Sequence, residues 1–276
     1  MNKIEKDIIS LALLEDLGDE GDITSHSIFT TQKARYKLIS RENGILCGSE
    51  YFTAVFKQLD PDCNIEFLVN DRNKINREQE IALVYGNIKN ILTAERVAIN
   101  FLSHLSAIAT KTNQFCQLTK GNTKVLDTRK TIPGLRKAEK YAVRCGGGYN
   151  HRMGLFDMVL IKDNHIDGIG SIGTAVKKVR EKLGNKYKIE VETRNLEEVK
   201  EALTCEVDLI MLDNMSIKMM KEAICIINGK AKTEASGNIN LEKFKQLAEI
   251  GFDYISIGEL THTVKAFDFS LLKLNE

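Results

Sequence analysis

No apolar run in the 276-residue chain reaches the roughly 18 residues a membrane-spanning helix needs. Nor is there an excess of one charge sign. The 39 Lys and Arg residues against 38 Asp and Glu leave a formal charge of +1, so the chain as a whole has no electrostatic reason to seek nucleic acid or an acidic membrane. The six cysteines, Cys47, Cys63, Cys116, Cys145, Cys205 and Cys225, contain no CxxC pair. Their spacing supports neither a zinc site nor a disulfide framework, and buried free thiols in a reducing cytoplasm are the expectation. Cys145 stands beside three glycines, but no spacing supports a nucleophilic role. Acidic residues interrupt the apolar positions near the amino terminus, which is unlike a secretory signal and agrees with a cytoplasmic location. GxGxxG and Walker A patterns are both missing, so the common glycine signatures of dinucleotide and P-loop sites do not apply.

What is present is a hydrophobic content of 43%, ample for one large domain or two unequal ones. Residues 3–17 have helical spacing and stop at Gly18. GDEGDITSHSIF reads as a loop, and ARYKLISRENGILCG as two strands joined by a tight turn at Asn43-Gly44. SEYFTAVFKQL is helical, and two extended stretches follow. The first hundred residues therefore suggest a mixed sheet with helices. ILTAERVAINFLSHLSAIATKTNQFCQLT is a long helical pattern, read as two helices meeting near Ser106.

Beyond residue 120 the rhythm changes. Short apolar strands recur at 124–128, 157–162, 187–193, 207–213, 232–237 and 252–258, with helical segments between most of them. This alternation argues for βα units and a parallel sheet. The strands end at Asp127, Lys162, Glu192, Asp213, Ser236 and Gly258, one shared edge. In α/β barrels the active site is built at that edge. About 150 residues is short for eight units, so a reduced or open barrel fits better than a complete one.

Several of these end residues can do chemistry. Between Lys120 and His165 ten Lys or Arg stand against four Asp or Glu; a solvated helix face explains part of that excess. Arg129, Lys130, Arg152 and Lys162, however, all lie beyond strand ends. Arginine grips a planar carboxylate through a fork and lysine supplies a compact charge, so a polyanionic ligand fits the set. Lys162 also invites two other readings, a structural pair with Asp163 or a Schiff base. Glu192 and Asp213 offer oxygen acceptors for Mg²⁺ or sugar hydroxyls, or else cap the next helix. Ser236-Gly237-Asn238 and Gly258-Glu259 are suited to phosphate, because glycine lets backbone amides approach closely. His151 is read as a partner of an anionic ligand, His165 as structural, and Arg96 by default as solvent-exposed.

Taken together, EDLGDEGDITS, ILTAERVAINFLSHLSAIAT, LDTRKTIPGLRKAEKYAV, GGGYNHRMGLFDMVLIKDNH, VETRNLEE, IMLDNMS, EASGNI and YISIGELTH make the chain resemble the quinolinate phosphoribosyltransferase, or nicotinate-nucleotide pyrophosphorylase, family over nearly its whole length. The resemblance implies an α/β fold: an incomplete seven-stranded α/β barrel with a smaller N-terminal α/β sandwich domain. The implied division is 1–109 for the sandwich, 110–265 for the barrel, and 266–276 for a segment returning to the smaller domain. It further implies transfer of the phosphoribosyl group of 5-phosphoribosyl 1-pyrophosphate to quinolinate, with decarboxylation to nicotinate mononucleotide, pyrophosphate and CO₂ in NAD synthesis.

By the same resemblance, Arg129, Arg152 and Lys162 recognise quinolinate, with Arg96 supplied by a neighbouring copy in a homodimer or an assembly of dimers. Lys130 and His151 line that site. Glu192 and Asp213 surround the ribose and an Mg²⁺ held directly or through water or pyrophosphate, and Ser236, Gly237, Asn238, Gly258 and Glu259 serve the phosphates. Lys130, Lys162, Glu192 and Asp213 are the implied catalytic set. The chain departs from the family at Ala107, where glycine is frequent. Three other readings stay open: a related phosphoribosyltransferase for another pyridine acid or azole, a barrel aldolase built on Lys162, and a non-catalytic phosphate-ligand binding protein.

Overall fold

The computed structural model describes every residue except 120, 122, 275 and 276; the last two residues of the expected 266–276 segment thus lie outside the described residues. In chain order the elements are α1 (Lys3–Leu17), α2 (Ile23–Ile28), β1 (Lys33–Ser40), β2 (Gly44–Ile45), α3 (Ser49–Leu59), β3 (Asn64–Phe67), β4 (Lys74–Ile75), β5 (Glu80–Asn87), α4 (Ile88–Cys116), β6 (Lys124–Leu126), α5 (Arg136–Cys145), β7 (Val159–Ile161) and α6 (Asp163–Ile169). They continue as α7 (Ile172–Leu183), β8 (Ile189–Thr193), α8 (Leu196–Thr204), β9 (Leu209–Asp213), α9 (Ile217–Ile227), β10 (Lys232–Ser236), α10 (Leu241–Ala248), β11 (Tyr254–Ser256), α11 (Glu259–His262) and β12 (Phe269–Lys273). Two compact units emerge: Met1–Asn113 with Thr131–Gly147 and Thr263–Glu276, and Gln114–Lys130 with Gly148–His262. The stretch 131–147, which the sequence places within 110–265, groups by its contacts with the first unit.

In the first unit, α1 starts on a capping box. The Asn2 side chain accepts from Glu5 N, and the Glu5 carboxylate accepts from Asn2 N at 2.6 Å. The helix stops at Gly18, whose φ of 51° suits glycine. The stretch expected to be a loop contains α2, nucleated by Asp22, whose carboxylate accepts from Ser25 N at 2.9 Å. A four-stranded antiparallel sheet runs β12-β1-β5-β3. Its strand β1 alternates, with Ala34, Tyr36 and Leu38 buried, the period-two signature of a half-covered sheet.

Two local expectations are corrected here. Asn43-Gly44 does not close a hairpin. β1 pairs with β5 and β12, whereas β2 pairs with β4. A Cβ on Gly44 would sit 2.4 Å from both Phe267 and Thr110, so this glycine serves close packing and not turn geometry. The long helical pattern is also a single helix, α4, and does not break near Ser106. Ala107 favours the helical backbone, and the Ser106 hydroxyl accepts from Cys47 N and donates to Cys47 O, both at 3.0 Å.

The second unit is a six-stranded, all-parallel sheet ordered β6-β11-β10-β9-β8-β7. A seventh position is reduced to one parallel bridge between Tyr149 and Leu126, so the barrel is incomplete. Ser171, Asn195, Ser216 and Asn240 each cap a following helix by accepting from a backbone N–H. On β8, Ile189 and Val191 are fully buried and alternate with Glu190 and Glu192. One face of the strand packs as hydrocarbon, and the other carries carboxylates into the interior.

Candidate active site

A cavity of about 690 Å³ opens at the carboxyl ends of these strands. Twelve of the thirteen residues expected at the site line it: Arg129 and Lys130 after β6, His151 and Arg152 on the glycine-loop side, Lys162 after β7, Glu192 on β8, Asp213 on β9, Ser236 at the end of β10 with Gly237 and Asn238 after it, and Gly258 and Glu259 after β11. Parallel strands joined by helical crossovers make this possible, because every strand delivers its last residue to the same rim. The thirteenth, Arg96, is exposed on α4 in the first unit and is not among the lining residues.

Each cation is held by its own local device. Thr261 Oγ1 donates to Lys130 O at 2.6 Å, and the Lys130 side chain runs beside Gly258, where an added Cβ would meet Lys130 Cδ at 3.2 Å. Arg152 Nη1 donates to Met158 O at 3.2 Å. Its guanidinium is pushed below the ordinary arginine range, first by burial and then by the neighbouring Arg129, with Glu190 and Asp157 opposing. Two guanidiniums forced together in a partly dry pocket are a place where an anion is favoured. Lys162 Nζ donates to Glu192 Oε2 at 2.8 Å, so a carboxylate bounds the cationic side.

Asp127, expected on the working edge, is instead fully buried beneath it. Its carboxylate accepts from His151 N at 2.9 Å and from Asn150 Nδ2 at 2.5 Å, which pins the loop that presents His151 and Arg152. His165 is structural, since its Nδ1 accepts from Lys162 N at 2.9 Å.

The opposite wall is built from backbone. Gly237 has a φ of +97°, and a Cβ there would lie 2.3 Å from Asn214 Oδ1; only glycine fits. Asn238 follows in the left-handed region at φ 48°. Lys243 Nζ donates to Gly237 O at 2.7 Å, and Asn214 Nδ2 donates to Asp213 Oδ2 at 2.7 Å. Glu192 and Asp213, at the ends of adjacent strands on one cavity, supply hard oxygen donors. That donor chemistry fits Mg²⁺, which favours one or two carboxylates together with waters and substrate phosphates.

Sequence reasoning misses several residues, among them Ser256, which lines the cavity. Thr128, Asn214, Asn240 and His262 also line the cavity. Glu190 and Glu234 lie fully buried in mid-strand, with Oε2 atoms 3.0 and 3.6 Å from His151 Nε2. Burial drives their carboxyls up to about 7 and about 8 respectively, with their mutual repulsion adding to Glu234. The available signal was a charge two positions before a strand-end residue, in IEVET and KTEAS.

Residues 22–106 match the N-terminal domain, and residues 108–272 the C-terminal domain, of the quinolinate phosphoribosyl transferase family. A mitochondrial quinolinate phosphoribosyltransferase [decarboxylating] 2b from Nicotiana tabacum is 44% identical, covering 96% of this chain and 81% of the relative. A probable nicotinate-nucleotide pyrophosphorylase [carboxylating] from Bacillus subtilis (strain 168) is 40% identical, covering 98% and 94%. The structure of the nicotinate-nucleotide pyrophosphorylase from Francisella tularensis superposes with a TM-score of 0.95 at 42% identity, over 99% of this chain and 97% of that one.

Proposed function

Because the chain belongs to the quinolinate phosphoribosyltransferase family, we propose that this enzyme transfers the phosphoribosyl group of 5-phosphoribosyl 1-pyrophosphate to quinolinate. Loss of the 2-carboxylate then gives nicotinate mononucleotide, pyrophosphate and CO₂ for NAD synthesis. The observation that carries the acceptor's identity is the cationic wall of Arg129, Arg152 and Lys162. Two vicinal carboxylates match two forks and a point charge. A monocarboxylate would offset less of the repulsion between Arg129 and Arg152.

In this reading the cations hold quinolinate with its ring nitrogen facing C1 of the ribose. The nitrogen lone pair forms the N–C1 bond while the C1–O bond breaks, its electron pair leaving on pyrophosphate. Positive character at C1 is stabilised by Glu192 and Asp213, and the departing charge by Lys130 and the backbone around Gly237 and Gly258. The pyridinium then draws electrons from the C2–carboxylate bond; CO₂ leaves and a proton ends on C2. Glu192 and Asp213 would hold Mg²⁺ directly or through water, and when bound that ion supplies charge neutralisation to the pyrophosphate. Quinolinate offers no aldehyde or ketone, so Lys162 acts as a charge and not as a Schiff base.

Arg96 is assigned to the acceptor site of a second copy, a role its exposure on α4 permits. The test is acceptor discrimination. With donor and Mg²⁺ fixed, quinolinate should turn over and nicotinate should not; preferential turnover of nicotinate or of an azole would overturn the assignment.

A further inference from the structure

Cys47, Asp71 and Cys145 are far apart in sequence but come together in the first unit, and none of them lines the cavity. The two Sγ atoms and a carboxylate oxygen of Asp71 all lie within 4.8 Å of one another. Cys47 follows β2 and is fully buried, whereas Cys145 ends α5 with 5% of its surface exposed. Both thiols are free. Their cover is thin, since Arg72 is exposed and Asp71 and Tyr141 are half-buried. The Asp71 carboxylate is already engaged at the start of α3. It accepts from Gly48 N at 3.0 Å, from Ser49 N at 3.2 Å and from the Tyr141 hydroxyl at 3.0 Å. The surroundings make the two thiols unequal. Cys145 is drawn below the ordinary thiol range, first by the facing Cys47 thiol, with Tyr141 and Arg72 adding and burial and Asp71 opposing. Cys47 is pushed up, first by burial. A guanidinium beside the pair disfavours a bound cation and favours a thiolate. A thiolate-prone cysteine facing a second thiol can react with peroxide and then be resolved by its neighbour.

We propose that Cys47 and Cys145 form a redox-modification site, closing an intramolecular disulfide when hydrogen peroxide oxidises Cys145. The Cys145 sulfur attacks one peroxide oxygen and the O–O bond breaks. The sulfur keeps one hydroxyl as a sulfenic acid, and the other leaves with the thiol proton as water. The Cys47 sulfur then attacks the sulfenic sulfur. The S–O bond breaks, and the hydroxyl leaves with the Cys47 proton as a second water. Two thiols have lost two electrons, and one peroxide has become two waters. The sulfurs must close to about 2 Å. Cys145 can follow that closure because it is the last residue of α5, where the chain passes into three glycines. The bond fastens the segment before α3 to the end of α5. This site stands apart from the quinolinate reading, because none of its residues lines the cavity.

The experiment treats folded, fully reduced, full-length protein with hydrogen peroxide. Remaining thiols are blocked with iodoacetamide, and tryptic peptides are mapped by mass spectrometry without reduction. Wild type should yield one cross-linked peptide pair containing Cys47 and Cys145, which dithiothreitol separates. Cys225, although exposed, should be modified at least about tenfold more slowly at the same peroxide concentration. Cys47→Ser should stop at the sulfenic acid, trapped on Cys145 by dimedone. Cys145→Ser should leave Cys47 reduced under conditions that cross-link wild type. Wild-type Cys47 and Cys145 that both stay reduced while Cys225 is modified overturn the proposal. So does a cross-link that forms only after urea has unfolded the chain, because it then owes nothing to the fold. Dimedone captured by Cys47 in Cys145→Ser as readily as by Cys145 in Cys47→Ser overturns the assigned order of attack. If either serine variant fails to fold, the wild-type map decides alone. Quinolinate turnover by the reduced wild type is assayed in parallel, and its absence refutes the acceptor assignment while leaving the peptide map standing.

Discussion

At the scale of single residues, the arrangement of charge decides what the cavity binds. Arg129 and Arg152 repel one another in a partly buried pocket, and an acceptor dianion relieves that repulsion. Arg129→Ala should therefore weaken quinolinate binding by roughly 10- to 100-fold and leave donor binding within about twofold, as titration calorimetry of each ligand would reveal. Equal losses for both ligands would place Arg129 elsewhere. Glu192→Gln should lower kcat far more than melting temperature, because its carboxylate serves the reacting sugar while its partner Lys162 remains half-exposed.

Glu234 adds a pH signature. Burial raises its carboxyl from 4.5 to about 8. Between those values the folded state holds a proton that the unfolded chain has released, so stability is fully present below the lower value and falls as pH rises toward the higher one. Glu234→Gln removes the burden of ionising. Its melting temperature relative to wild type should climb steadily from pH 5 to pH 8.5; a constant difference across that range would contradict the shift. Glu234 and Glu190 were not legible as functional in the sequence. A glutamate in a short strand reads equally well as solvated, and only the alternation of β8 and β10 within the parallel sheet turns both inward.

At the scale of elements, the site depends on loops that admit no side chain. Gly237→Ala places a Cβ 2.3 Å from Asn214 Oδ1 at a φ of +97°, so the loop after β10 must shift. The expected cost is about 1–3 kcal/mol of stability, with a rise in the KM of the phosphoribosyl donor that exceeds any rise for quinolinate. An unchanged donor KM would remove this loop from the phosphate side. Here the sequence was informative, because strand, Ser-Gly-Asn and an Asn-capped helix follow in order at 232–241. It was less so where packing decides. Asn43-Gly44 carries a hairpin signal, yet Gly44 is needed for its closeness to Phe267 and Thr110. Two of the three acids expected to share one rim also part company. Asp213 lines the cavity, while Asp127 lies beneath it holding the loop at 150–151, a distinction that strand-end position alone does not draw.

At the scale of the whole molecule, the incomplete barrel gathers cations, acids and glycine loops from six strands onto a single cavity. Arg96 is exposed on α4, and its proposed place is at the site of a second copy. Mixing inactive Arg96→Ala and Lys162→Ala proteins should regenerate sites with both residues intact. Under demonstrated subunit exchange, up to about a quarter of the sites of an equal mixture can be whole, and activity should return accordingly. No recovery would confine Arg96 to a role within its own chain.

The central claim, that this cavity couples phosphoribosyl transfer to decarboxylation, is tested most directly by following one carbon. Purified protein is incubated with the phosphoribosyl donor, Mg²⁺ and quinolinate labelled at the 2-carboxylate, and labelled CO₂ and nicotinate mononucleotide are measured together. The account predicts equal amounts of the two, with neither formed when the donor is omitted. Nucleotide that retains the label, or label released without nucleotide, would contradict it.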